Sequence, residues 1–573
     1  MVSYNMNMNS TDRATLQRLR SKTSYSADTE SFGNECVSRA FAESGVAFIS
    51  GWTELESVFD AAVSALGTCI RDHDGSPLLQ EGGVYDGCWL ESTGTANAEV
   101  LSRFVPEAAE STMLAFTRYQ RADGLIPYRI SADGPVFRQI QLVTPPVRSA
   151  WHHYRVADAQ PSFLARIYDT YSAYDHWLAS MRDTRGTGCI EAFCTYDTGH
   201  DLSPRFWHVP NSPFRGEPGR FDPDNPRLPF IAPDLTASVA CSRDYLARIA
   251  TEIGASSARG RSDGLASDTW LHAAGQMREA LFTQCFDPKD RFFYDRDAYG
   301  EFVKVQSDVL MRVLASEAVP LELFEELLRT YLLNTRKFYS DVPFTSIALD
   351  DPRYFQSSQH NSWAGAVNFL TIIRAPHMFE HYGHSAEFMT AANQLMQAFA
   401  NVTKFPQCLN PWTGEEGYTE LYSPAILSIL DYIERMHGVQ AATDGSVWCN
   451  ARQPVPSSAD RFRERSSAYR RTISGNEYEL VCGAERAHLF LNGQPHAEFP
   501  TGTRLVCDRS GRVRGITGLV PRTVSADLTL HSPPSDRYSR RSLAVEVSAN
   551  ETLVIDGECL RCKAKNHYIP PQF

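Results

Sequence analysis

From about Val105 to Met436 the apolar residues recur at helical spacing, and that repetition leaves few architectures open. Leu321, Phe324, Leu327, Leu328, Tyr331 and Leu332 follow the i, i+3, i+4, i+7 pattern of one apolar helix face. Similar spacing predicts helices over Pro106–Tyr119, Pro146–Tyr154, Phe163–Leu178, Leu235–Ile253, Trp270–Phe282, Ala386–Phe399 and Pro424–Ile433. The connections between them are rich in Gly, Pro, Asp and Asn, and some are long enough to build a binding face. Helical hairpins arranged around a centre accommodate this pattern; a doubly wound sheet does not. After Gly438 the period changes. Glu477–Val481, His488–Leu491, Arg504–Cys507 and Leu543–Val547 alternate apolar and polar residues, with Asn492-Gly493, Ser510-Gly511 and Asp556-Gly557 as turns, which predicts a C-terminal antiparallel β-sandwich.

At 573 residues the chain exceeds one ordinary core, so a large unit plus a smaller module is expected. The divisions predicted are a disordered tail over 1–30, a helical catalytic domain over 31–440, a linker region over 441–467 and a β-sandwich over 468–573. A formal net charge of −13 argues against nucleic-acid and anionic-membrane partners, because both require clustered Lys and Arg. No apolar run approaches the roughly 20 residues of a membrane span, and the first thirty residues lack the apolar centre of a signal peptide. Thirteen cysteines without a secretion signal are expected to be reduced and mostly buried, which points to a cytoplasmic enzyme. Cys559-x-x-Cys562 has no second pair at ligand spacing, so neither a metal site nor a cofactor is expected. Oligomeric state is not readable from the sequence.

One stretch concentrates reactive side chains. Thr195 to Phe206 holds Asp197, His200, Asp201 and Arg205 in twelve residues, and Gly199 and Pro204 break any regular element, so it is read as a loop. Helix capping by Asp197 and Asp201 is the alternative on composition alone. A proline-rich connection, His208 to Pro233, follows directly and is expected to be rigid.

Motifs before and after that loop carry a resemblance. Arg103-Phe104-Val105-Pro106 through Gly124-Leu125-Ile126-Pro127 resembles a hairpin of the six-hairpin, (α/α)6-barrel glycosidases, within which the chain is similar to trehalases, processing α-glucosidases and glucosyl- or mannosylglycerate hydrolases. Thr144-Pro145-Pro146-Val147 with Trp151 resembles their Gln-Pro-Pro motif, and Asp197–Arg205 resembles their acidic Glu-Ser-Gly-x-Asp-x-Ser-Pro segment. Ser362-Trp363-Ala364-Gly365 resembles their Trp-Arg-Gly-Pro helix entry, and Asn410-Pro411-Trp412-Thr413-Gly414 with Tyr422-Ser423 resembles the end of their barrel. The resemblance implies an (α/α)6 toroid and an inverting glycoside hydrolase acting on a small glycoside. In such an enzyme one carboxyl protonates the leaving oxygen and a second activates water. The family's acid falls on Asp201, for which burial and the nearby Asp197 are expected to raise the pKa. Arg205 is then expected to orient Asp197 or to bind a substrate hydroxyl.

The chain departs from the family where the base should stand. Anchored on Asn410-Pro411, that glutamate falls on Gln407, whose amide is not basic. Three readings follow. Glu420 or Glu416 (or Glu415) on the same loop serves as base; or phosphate attacks, as in an inverting phosphorylase, with His360 and Arg374 as loose phosphate ligands; or the barrel runs lyase, isomerase or cyclase chemistry on a non-sugar metabolite. Cys408 is a conceivable nucleophile in the last case, against the simpler account of a packed thiol. A non-catalytic carbohydrate-binding relic is the reading outside enzymes. Substrate contacts are expected from Trp89, Glu91, Gln141, Tyr196, Asp197, Arg205, His360, Trp363, Gln407 and Trp412, against core packing for the tryptophans and helix entry for Gln141. Leu90 in Trp89-Leu90-Glu91-Ser92 and Ala364 depart from the family at positions that commonly shape the sugar subsite.

Overall fold

The computed structural model describes residues 6, 8–22, 34–255, 262–452, 466–531, 540–557 and 559–573. Fourteen α-helices stand among the described residues. They are α1 (Ser10–Ser21), α2 (Glu35–Ser44), α3 (Thr53–Cys69), α4 (Asn97–Leu101), α5 (Pro106–Arg118), α6 (Pro146–Val156) and α7 (Pro161–Met181). There follow α8 (Pro233–Ala255), α9 (Ser262–Cys285), α10 (Val309–Ala315), α11 (Leu321–Leu327), α12 (Phe369–His381), α13 (Ser385–Phe399) and α14 (Ser423–His437). Proline opens α5, α6 and α7, where its fixed φ suits the first turn and its missing donor is not needed. Asn9, Asn34 and Asn368 cap α1, α2 and α12 through side-chain oxygens.

Six of these helices touch in a closed cycle: α4 with α6, α6 with α8, α8 with α10, α10 with α12, α12 with α14, and α14 with α4. A second set packs outside it, with α5 on α4, α7 on α6, α9 on α8, α13 on α12 and α3 on α14. The residues of α4, α10 and α14 are buried on every side. Such surroundings remove the polar stripe that marks a surface helix.

The C-terminal part is two antiparallel sheets in contact. The six-stranded sheet runs Val439–Ala441, Val447–Ala451, Thr503–Cys507, Val513–Gly518, Glu551–Asp556 and Cys559–Lys565. The seven-stranded sheet begins with a strand from the other end of the chain. Ala47–Ser50 pairs with Ser467–Ile473 in the register Ala47↔Arg470, Phe48↔Tyr469, and α1 packs on the same strands. The helix at 10–21 therefore corrects the disordered tail expected over 1–30: Leu16 and Leu19 bury a helix face against Ala468 and Val481. The strand Val447–Ala451 likewise lies inside the stretch expected to be linker, whose residues 453–465 are outside those described. Described cysteines are free thiols, buried except at Cys36, Cys559 and Cys562.

Candidate active site

The loop 195–206 is irregular, as its Gly and Pro require: short 3₁₀ turns at Thr195–Asp197 and Pro204–Phe206 flank a turn at Gly199. Its two carboxylates do different things. Asp197 is fully buried, bonded by Arg182 Nη1 at 2.6 Å and by the backbone N–H groups of Ile140 and Phe193 at 3.1 and 2.7 Å. It ties the loop to neighbouring segments. Asp201 instead faces a narrow, constricted cavity that opens to solvent. Its backbone is pinned by Trp363 N–H donating to Asp201 O at 3.1 Å, and Asn361 Nδ2 donates to Asp201 Oδ2.

Burial is the main cause that pushes the Asp201 carboxyl up to about 8, and the Glu91 carboxylate adds to it; Asn361 and Arg312 pull the other way. Glu91 is held by two guanidiniums, Arg312 Nη2 at 3.3 Å and Arg374 Nη2 at 3.2 Å from its Oε1. The charge that keeps a proton on Asp201 is thus Glu91, not Asp197 as expected. Gly199, in the left-handed region, lets the backbone pass against Glu91; a Cβ there would collide with Glu91 Oε2.

The cavity wall also includes Glu81, Tyr85, Trp89, Ser92, Gln141, Asn361, Leu370, Gln407 and Tyr422. Gln407 is placed by short antiparallel pairing of Val367-Asn368 with Cys408-Leu409, and its Oε1 accepts from Tyr85 Oη at 2.9 Å. Gln141 holds a left-handed backbone, a strain that neighbouring structure must maintain. Glu81 is 4% exposed; Ser92 Oγ donates to its Oε2, and burial raises its carboxyl to about 7.

Trp89, Glu91, Gln141, Asp201 and Gln407 therefore come together, while other expected site residues do not. Glu416 accepts the Thr403 and Lys404 backbone N–H groups at 2.7 Å each, bracing its own loop. Glu420 is exposed on a separate depression, because left-handed residues on both sides, Thr419 and Leu421, turn it outward. Arg205 neither touches Asp197 nor reaches the cavity: it is buried between Asp234 at 2.9 Å and Asp295 at 2.7 Å and donates to His200 Nδ1. Trp363 is buried, 4.7 Å between ring centroids from His200, with Arg312 over its face. Tyr196 is half-buried off the cavity, and His360 and Trp412 are exposed and do not line it. Burial raises the Cys408 thiol to about 11, as a packed thiol requires. Arg374 bonds Glu91 and Thr144 Oγ1 at 2.9 Å and does not line the cavity.

The sequence reading missed Glu81, Tyr85 and Asn361. The available signal was Gly82-Gly83: both are left-handed, and a Cβ on either would strike the 419–421 segment. That close approach carries Glu81 into the cavity. A group with metal-ligand chemistry elsewhere, Glu317, His377 and His381, places its ligand atoms within 4.8 Å of one another, away from this cavity.

Three carboxyl groups, those of Asp201, Glu81 and Glu91, line this small polar cavity, and the chain is a glycoside hydrolase by family. Residues 93–424, more than half of the chain, match the family model described as mannosylglycerate hydrolase MGH1-like glycoside hydrolase domain, and the chain belongs to that family. No curated protein matches the chain in sequence. Among solved structures, the GH63 mannosylglycerate hydrolase from Thermus thermophilus in complex with Tris is similar, with a TM-score of 0.53 at 17% identity over 65% of this chain and 99% of that one. A structure titled sialidase has a TM-score of 0.62 at 12% identity over 88% of this chain and 46% of that one. At those identities each is a likeness of fold. No helix among the described residues is long and apolar enough to cross a membrane.

Proposed function

We propose that the chain is an inverting glycoside hydrolase for a small glycoside, with Asp201 as general acid. The observation that carries this is the Asp201 carboxyl, held up to about 8 by burial and by Glu91, and so still protonated at neutral pH where a leaving oxygen must receive a proton. Asn361 fixes one carboxyl oxygen of Asp201, which lines the cavity. Hydrolysis is favoured over phosphorolysis because, among the described residues, the cavity wall contains no Lys, Arg or His. The closed contact cycle of α4, α6, α8, α10, α12 and α14 with an outer helix layer supports an (α/α)6 toroid bearing the site at its centre, and the two C-terminal sheets support a β-sandwich.

The family description makes mannosylglycerate the first substrate to try. The test is incubation with mannosylglycerate and a panel of small α- and β-glycosides, following the first-formed anomer by proton NMR. The expected product is a free sugar of inverted configuration, absent with Asp201→Asn. Retained configuration, or full turnover by Asp201→Asn, would remove this assignment.

A further inference from the structure

With a glutamine at the family's base position, the water-activating group must come from elsewhere in the cavity. Two carboxyls besides Asp201 line it, Glu81 and Glu91. Glu91 is bound by the guanidiniums of Arg312 and Arg374, which hold its charge and oxygens in fixed ion pairs. Both ion pairs fall on its Oε1, so the group is held against the arginines rather than presented to a water. Glu81 is 4% exposed, and its hydrogen bonds come from the neutral hydroxyls of Ser92 and Tyr422.

Resting on the hydrolytic reading above, we propose that Glu81 is the general base, and that Gln407 holds the attacking water without deprotonating it. Glu81 removes a proton from water as the water oxygen bonds to the anomeric carbon. The bond from that carbon to the leaving oxygen breaks, and that oxygen takes the Asp201 proton. The cycle ends with Glu81 protonated and Asp201 ionised, and exchange with solvent restores both.

Placement is rigid. Glu81 N–H donates to Gly87 O and Ser423 N–H donates to Glu81 O, each at 2.8 Å, while Gly82 and Gly83 seat the segment against residues 419–421. Tyr85 links the parts: its hydroxyl donates to Gln407 Oε1, and the charges of both Asp201 and Glu81 act on it. With Oε1 so engaged, the Gln407 amide N–H remains to bind a water oxygen. Glu91 raises both Asp201 and Glu81, and all three line the same cavity. Around Glu81 stand Glu91, Arg374, Tyr85, Tyr422, Cys69 and Cys88; burial dominates them and lifts the carboxyl to about 7, a range suited to a base at neutral pH.

The experiment compares wild type, Glu81→Gln, Asp201→Asn and Glu81→Gln/Gln407→Glu on mannosylglycerate and on both anomers of mannosyl fluoride, whose leaving group needs no acid. Glu81→Gln is expected to lower kcat about 10²–10⁴-fold on both substrates. Asp201→Asn is expected to lose mannosylglycerate turnover while keeping fluoride release. The double variant is expected to regain at least tenfold over Glu81→Gln, since it restores a carboxylate at the family's position. The kcat/KM profile should fall below about pH 7 as Glu81 gains a proton and above about pH 8 as Asp201 loses one. A carbon-13 carboxyl titration of wild type against Glu81→Gln should lose one resonance titrating near 7, whether or not turnover survives. If Glu81→Gln stays within tenfold of wild type while Asp201→Asn is inactive on mannosylglycerate, Glu81 is not the base and the hydrolytic reading stands. If wild type releases sugar from neither probe nor from the wider glycoside panel, the hydrolytic reading fails and takes this role with it.

Discussion

Replacing Asp201 by Asn should stabilise the unliganded protein at alkaline pH and do nothing at acid pH. The native carboxyl titrates at about 8 against 3.8 for the ordinary group. Between those values the folded state holds a proton that the unfolded state has released, so stability falls as pH rises, by about 1.4 kcal/mol per pH unit for this group. Integrated over the interval the penalty at pH 9 is about 6 kcal/mol as an upper bound. Asp201 sits on a cavity wall that water reaches, and screening reduces the expected figure to roughly 3 kcal/mol. Asn is neutral at every pH and its side-chain oxygen still accepts from Asn361. Unfolding entropy of about 2.1 cal/mol/K per residue converts 1 kcal/mol to about 1 °C in a cooperative unit of this size. The assay is thermal unfolding of both proteins from pH 3.5 to 9. The variant should match wild type only toward pH 4 and below, where the unfolded carboxyl also holds its proton, and exceed it by a few degrees at pH 9. Parallel curves over that range would refute the claim that burial and Glu91 hold the proton on Asp201.

Three further outcomes follow from the packing. Gly199→Ala should lower kcat at least a hundredfold, because its Cβ displaces Glu91 and the left-handed backbone disfavours any side chain; wild-type rates would contradict the role given to Glu91. Arg205→Met should destabilise by about 3–5 kcal/mol in denaturant titration, since it strands the buried Asp295 carboxylate and leaves Asp234 only its pair with Arg312; a loss under 1 kcal/mol would show that they are neutralised otherwise. Glu420→Gln should leave kcat within twofold of wild type, as an exposed group outside the cavity; a hundredfold loss would return it to the base role.

Which parts could be read in advance follows from where each residue points. The outer helices α5, α7 and α13 keep one wet face, and their apolar spacing marked them within a few residues. Helices α4, α10 and α12 went unread: α4 and α10 are surrounded by protein, and α12 carries Pro376 in its interior and is buried over most of its length. A short helix enclosed all round offers too few positions to show a period, whereas α14, equally enclosed, is fifteen residues long and was read. The sheet strands showed their alternation because each has one solvent side or a turn of known chemistry. In the site, Trp89, Glu91, Gln141, Asp201 and Gln407 lay in or near motif loops. The base candidates Glu416 and Glu420 were chosen for nearness in sequence to Asn410, but left-handed turns at Thr419 and Leu421 redirect that loop. Glu81 lies more than three hundred residues from Gln407 in sequence, and contacts of the 81–85 segment with residues 407 and 419–423 bring it near.

The pairing of Ala47–Ser50 with Ser467–Ile473 has a consequence during synthesis. Phe48 and Ile49 leave the ribosome about 420 residues before their partners Tyr469 and Ala468. At about 5–20 residues per second that interval is roughly 20–80 s. Throughout it an apolar strand offers an unpaired edge, the kind of surface on which nascent chains stick to one another. The later strand therefore shelters the earlier one, and a truncation that removed Ser467–Ile473 would leave Ala47–Ser50 without its partner.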